Sequence, residues 1–214
     1  MIRILAVGDS NTYGYDPESV GGSRYSRMKR WTGILDAEPG FTVNNAGENG
    51  VSIPRSPENA AAWLSSQIDR WKCDVITLML GTNDLLNMNV PSAQTVAERM
   101  AAFLDACIRT DRRIADILFL IAPPAMDPGL WTDKRTVEES LRLGDYYRYV
   151  ADYYKLRFVD ASQWGLPTCR DGVHLTAIGH QVFAENLMQV LSEDSRMCKP
   201  ASRENTESAD RHSN

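Results

Sequence analysis

Gly8-Asp9-Ser10 directly follows the apolar run Ile2 to Val7, so a strand ending there would deliver a serine hydroxyl to the carboxyl edge of a sheet. Such a hydroxyl attacks a carbonyl when a base takes its proton and fixed donors hold the oxyanion that forms. The chain has 3 histidines as candidate bases. His212 sits in a polar C-terminal stretch, and His180 falls within a helical pattern where a solvated or partly packed role is expected. His174 closes the short polar turn Asp171-Gly172-Val173-His174. A carboxylate at that spacing reaches the second imidazole nitrogen, sets the tautomer and stabilises the imidazolium. Asp-Gly also makes an ordinary turn without any chemistry. Asp160, at the end of a predicted strand, is the second candidate for the acid.

Two segments offer oxyanion donors. Asn83, in Gly81-Thr82-Asn83-Asp84, carries a side-chain amide, and Gly47, in Asn45-Ala46-Gly47-Glu48, lets a backbone N–H approach a ligand closely. Taken singly, both also read as turn residues. Asp171 and His174 without a further His or Cys cluster make a poor metal site, so no metal is expected. Cys73, Cys107, Cys169 and Cys198 are widely spaced, with no Cys-x-x-Cys pair. Cys169 is near His174 in sequence but has no matching oxyanion arrangement, which makes it a bystander.

Positioning these groups requires strands that stop at one rim. Short apolar runs at Ile2–Val7, Thr42–Asn44, Asp74–Leu80, Asp116–Ala122 and Arg157–Val159 read as buried strands. Between them, helical spacing links Ala61, Leu64, Ile68 and Trp71 after Ser56-Pro57, and Val96, Met100, Phe103, Leu104 and Cys107 after Ser92. Val137, Leu141, Tyr147, Val150, Ala151 and Tyr154 mark a third helix. Ile178, Val182, Leu187, Val190 and Leu191 mark a fourth, with Thr176 as its cap, and Trp31, Ile34 and Leu35 a shorter one. Strand–helix alternation predicts an α/β sandwich on a parallel sheet, with Ser10, Gly47 and Asn83 gathered beyond the carboxyl ends of the strands. The loops from Tyr13 to Lys29 and from Pro123 to Asp133, with Trp131, are expected to cover that rim.

Composition narrows the function. With 214 residues, 43% hydrophobic and 24% charged, the chain reads as one domain over residues 1–194, followed by a polar tail at 195–214 expected to be disordered. The formal net charge of -5 argues against a nucleic-acid surface. The densest basic cluster, Arg24, Arg27, Lys29 and Arg30, would meet an anionic group or form a solvated face. No run approaches the roughly twenty apolar residues of a membrane span, which points to a cytoplasmic protein.

In order and approximate spacing, Gly8-Asp9-Ser10, Asn45-Ala46-Gly47, Gly81-Thr82-Asn83-Asp84 and Asp171-Gly172-Val173-His174 resemble the blocks of the SGNH hydrolases, also called GDSL esterases. Gly8 to Tyr15, Arg30 to Leu35 and Met79 to Asp84 look most like the arylesterase and acyltransferase type. The resemblance implies a flavodoxin-like three-layer α/β/α sandwich with a parallel five-stranded sheet. It implies Ser10 as nucleophile, His174 as base and then acid, and Asp171 as its orienting partner. The oxyanion hole would be the N–H groups of Ser10 and Gly47 with the Asn83 side chain. It further implies a small-molecule ester substrate carrying a short acyl or acetyl group, no cofactor, and a homo-oligomer. Acyl transfer, carbohydrate acetylester or thioester hydrolysis, and a non-catalytic binding role stay open at this point. Asn11 departs from the name motif, which carries leucine there.

Overall fold

The computed structural model describes residues 1–194; the expected tail, with Cys198 and His212, lies outside the described residues. Strand β1 (Ile2–Gly8) leads into one helical turn, α1 (Ser10–Tyr13), then a small antiparallel hairpin of β2 (Tyr15–Asp16) and β3 (Ser23–Arg24). Helix α2 (Trp31–Ala37), strand β4 (Phe41–Gly47), helix α3 (Pro57–Trp71) and strand β5 (Val75–Met79) follow. Next come α4 (Thr82–Leu86), α5 (Ala93–Thr110), α6 (Arg113–Ile117) and β6 (Leu118–Ala122). Helix α7 (Lys134–Tyr154), strand β7 (Arg157–Asp160), a 3₁₀ turn (Ala161–Trp164) and α8 (Ala177–Glu193) complete the order.

Five strands form one sheet in the order β4-β1-β5-β6-β7, every pair parallel. The chain moves from β1 to β4 on one side and then to β5 on the other. The resulting switch point, beyond the carboxyl ends of β1 and β5, is where open α/β sheets bind ligands. Strands β5 and β6 are buried throughout, which explains their unbroken apolar sequences VITLM and LFLIA. Leu64 of α3, Met100 and Leu104 of α5 and Leu143 and Tyr147 of α7 pack on one face. Trp31 and Leu35 of α2 and Phe183 and Leu187 of α8 pack on the other. The architecture is the expected three-layer α/β/α sandwich.

Local differences have local causes. Strand β4 runs on through Asn45-Ala46-Gly47, which reads as a turn by composition, because in-register pairing with β1 as far as Gly8↔Gly47 holds it extended. The expected start of β6 at Asp116 belongs instead to α6, nucleated where Asp111 Oδ1 accepts the Arg113 N–H at 3.0 Å. Trp71, Leu141 and Ile178 fit the helical spacing yet lie exposed at the margins of their apolar stripes. Among the described residues, no helix is long and apolar enough to cross a membrane.

Candidate active site

Asp9 turns the chain from β1 straight into α1. Its Oδ1 accepts the Asn11 N–H at 3.0 Å, while its backbone carbonyl accepts those of Thr12 and Tyr13 at 3.0 and 2.8 Å. The turn closes at Gly14, whose φ of 88° lies in the left-handed region that favours glycine. Ser10 therefore occupies the first helical position, where a backbone N–H has no acceptor within the helix. Glycine is required at Gly47 because a Cβ there would overlap the backbone at Thr12 and Tyr13, so close does α1 approach β4.

A second tight segment brings the imidazole. The Thr168↔Leu175 bridge and the Cys169 N–H donated to His174 O at 2.7 Å draw the two arms of a loop together, and Gly172 turns it at φ 79°. Asp171 Oδ1 accepts the backbone N–H groups of Val173 and His174 at 2.9 and 3.0 Å. Its Oδ2 lies 2.6 Å from His174 Nδ1, and His174 Nε2 lies 2.9 Å from Ser10 Oγ. An ionised carboxylate only accepts, so Nδ1 carries the ring proton and Nε2 faces the serine hydroxyl as an acceptor. Burial acts to raise the Asp171 carboxyl, but the hydrogen bonds from His174 and Val173 outweigh it and hold the group below its ordinary value.

All three side chains are buried, and two aromatic rings flank the imidazole. Tyr15 is tilted 59° with its centroid at 4.8 Å, and Trp131 meets the imidazole edge-on at 5.3 Å. Trp131, Leu130, Pro17 and Glu18 join Cys169, Arg170 and Asp171 around a cavity of about 490 Å³. The two loops expected at the rim thus meet beside His174.

The oxyanion candidates are differently occupied. Asn83 Nδ2 donates to Val51 O at 2.9 Å, which uses one of its two protons. The Gly47 N–H already donates to Asn45 Oδ1 at 3.0 Å. Asp160 does not reach the imidazole; its Oδ1 instead takes the N–H and hydroxyl of Ser162 at 3.1 and 2.6 Å. Burial pushes the Cys169 thiol up to about 11, so it is no thiolate at neutral pH. Among the described residues, no group of three or more His, Cys, Asp or Glu side chains is placed to hold a metal ion.

His180 corrects an expectation. It is fully buried rather than solvated or partly packed, edge-on to Tyr25 at 5.3 Å, and neither ring nitrogen has a hydrogen-bond partner among the described residues. Asn11 matters more than its place beside the motif suggested: its Nδ2 donates to Val173 O and its Oδ1 accepts from Leu175 N–H, spanning His174.

The fold and this site together define an ester-hydrolysing enzyme on an α/β scaffold. Residues 6–182 match the model of the GDSL-like lipase/acylhydrolase family, and the chain belongs to that family. Among solved structures it is similar to a putative arylesterase from Agrobacterium tumefaciens str. C58, at 26% identity and TM-score 0.74, with 90% of this chain and 99% of that chain covered. In fold it is similar to the native M. smegmatis aryl esterase, at 24% identity and TM-score 0.73, with 90% and 99% covered. It also shares its fold with Est24, a carbohydrate acetylesterase from Sinorhizobium meliloti, at 23% identity and TM-score 0.71, with 90% and 99% covered. A comparison with curated protein sequences finds no match.

Proposed function

We propose that the protein hydrolyses small esters with a short acyl group through an acyl-enzyme on Ser10. The observation that carries this reading is the unbroken chain from Asp171 Oδ2 to His174 Nδ1, at 2.6 Å, and from His174 Nε2 to Ser10 Oγ, at 2.9 Å. As Ser10 Oγ attacks the acyl carbon, His174 Nε2 takes its proton, and Asp171 stabilises the imidazolium. The Ser10 N–H and the second Asn83 amide proton meet the oxyanion, and the Gly47 N–H contributes by sharing with Asn45 Oδ1. His174 then protonates the departing alkoxide. A water molecule, deprotonated by the same nitrogen, attacks the acyl-serine, and collapse of the second tetrahedral intermediate returns the proton to Ser10.

Acyl transfer is the second reading, favoured by the rings of Tyr15 and Trp131, which leave His174 only 4% exposed and narrow the approach of bulk water. Added alcohol separates the two, since transfer yields the new ester and hydrolysis the free acid. The test of the shared chemistry is turnover of p-nitrophenyl acetate together with fluorophosphonate labelling. Wild type is expected to turn over and to be labelled at Ser10, while Ser10→Ala and His174→Ala lose turnover by about 10³-fold or more. Undiminished turnover in either variant overturns the assignment.

A further inference from the structure

The basic cluster of the sequence returns in the fold as a built pocket. Arg24 Nε donates to Tyr13 O at 2.6 Å, and its guanidinium lies 4.1 Å from the centroid of the Tyr13 ring. Arg27 pairs with Asp36. Arg30 runs its methylene stem along Gly14, and its buried Nε has no hydrogen-bond partner among the described residues. The three arginines line one cavity of about 250 Å³ together with Thr32, Asp36 and Asn45. A single carboxylate thus stands against three guanidinium groups.

Two further features point to a missing acceptor. Thr32 is 2% exposed, and its Oγ1 accepts from Asn45 Nδ2 at 2.7 Å, so its own proton is left to donate, with no acceptor among the described residues. The Arg30 guanidinium is held below its ordinary value by burial and by the charges of Arg24 and Arg27, a repulsion that an anion would relieve. Guanidinium forks match the oxygens of phosphate and sulfate, and a buried hydroxyl adds a neutral donor.

We infer that the pocket of Arg24, Arg27, Arg30 and Thr32 binds a tetrahedral oxyanion of the phosphate class, free or carried on a small molecule. The site is separate from the ester-cleaving groups, since Ser10, Asp171 and His174 do not line it. It is nonetheless coupled to them. Asn45, in the pocket wall, donates to Thr12 O at 2.7 Å and accepts the Gly47 N–H at 3.0 Å, so occupancy bears on the helical turn that carries Ser10.

Calorimetric titration of the full chain with inorganic phosphate, with a phosphate monoester such as glycerol 3-phosphate, and with chloride at matched ionic strength tests this. Phosphate is expected to bind saturably and chloride not at all. Tighter binding of the monoester identifies a carried group as the ligand, and tighter binding of phosphate a free ion. Arg27→Gln, at an exposed side chain, is expected to weaken binding by about tenfold or more. Asp36→Asn removes the competing carboxylate while keeping an acceptor for the Val43 N–H now held at 2.7 Å, so it is expected to tighten binding several-fold. Equal binding of phosphate and chloride, or unchanged affinity in either variant, overturns the assignment.

Discussion

Asn11 grips the chain on both sides of His174. Its Nδ2 donates to Val173 O at 3.1 Å and its Oδ1 accepts the Leu175 N–H at 2.9 Å. Its own carbonyl accepts from Trp31 Nε1 at 3.0 Å, tying the same turn to α2. The turn that presents the Ser10 hydroxyl therefore also holds the loop that presents the imidazole. Asn11 thus holds both segments that set the 2.9 Å separation of Ser10 Oγ and His174 Nε2 without hydrogen-bonding to either atom.

Replacing Asn11 with leucine, the residue of the name motif, tests this clamp. Leucine is close in volume but leaves the Val173 carbonyl and the Leu175 N–H buried without partners, at about 1–3 kcal/mol each. Urea unfolding of Asn11→Leu is expected to show a loss of about 2–6 kcal/mol. kcat is expected to fall by about tenfold or more with little change in KM, because geometry for proton transfer is lost and substrate contact is not. A rise in KM with kcat unchanged would instead make Asn11 a substrate-contact residue.

Asp171→Asn separates orientation from folding. The asparagine Oδ1 still accepts the N–H groups of Val173 and His174, which Asp171 Oδ1 holds at 2.9 and 3.0 Å. The amide then faces His174 Nδ1 and can only donate, forcing the ring proton onto Nε2, where the serine proton must go. kcat is expected to drop by about 10³–10⁴ with the loop still formed. The Asp171 carboxyl is held below its ordinary value, so its stabilisation is present at neutral pH and is lost as pH falls through the folded-state value. The gap in unfolding free energy between wild type and variant is accordingly expected to close in acid.

How much of this was legible depends on the range of the interactions. Ser10, Asp171 and His174 sit in local signals: a strand running into Gly-Asp-Ser, and an Asp-Gly turn before a histidine. The strand logic that gathers Ser10, Gly47 and Asn83 at one rim does not extend to the His174 loop, which lies past β7 and the 3₁₀ turn. The grip of Asn11 is a contact across 162 residues, invisible to any window of sequence. The occupation of the Gly47 N–H depends on which way Asn45 points, and that is set by Thr12 and Thr32 from two other elements. His180 is the instructive case, because the buried positions of α8 include His180, Phe183, Ala184, Leu187 and Leu191, a regular helical stripe. The stripe read from the sequence runs through Ile178 and Val182, two residues to either side of His180, and so leaves it off the face that α8 buries.

Asp9→Asn is expected to stabilise the protein above neutral pH. Asp9 is 1% exposed, and although the Thr82 hydroxyl faces its carboxylate, Oδ2 has no hydrogen-bond partner among the described residues. Burial raises its carboxyl from 3.8 to about 6. The native state then binds the proton more tightly than the unfolded chain, so the cost of ionising a buried group is absent below 3.8 and complete above about 6. Asparagine keeps the acceptor for the Asn11 N–H and carries no charge. Thermal and urea unfolding at pH 8 are expected to favour the variant by about 3 kcal/mol, the advantage vanishing near pH 3.5. A variant less stable than wild type at pH 8 would mean that the carboxylate is compensated in the native state.

His180 gives the opposite slope. Burial, reinforced by the charges of His174 and Arg30, pushes its imidazole from 6.5 down to about 3. Between those values the unfolded chain holds a proton that the native protein refuses, so stability falls as pH drops below 6.5 and continues to fall until about 3. His180→Leu fills much of the same space within the Tyr25 and Phe183 side of the core and removes the titration. Wild type and variant share every carboxylate, so the difference between their unfolding free energies isolates this one group. That difference is expected to move in favour of the variant by about 1.4 kcal/mol between pH 7.5 and 5.5, and by about 2.7 kcal/mol between pH 7.5 and 4.5. A difference that stays constant across this range would show that His180 takes up its proton in the native state as readily as in the unfolded chain, which requires an acceptor or water reaching one of its ring nitrogens.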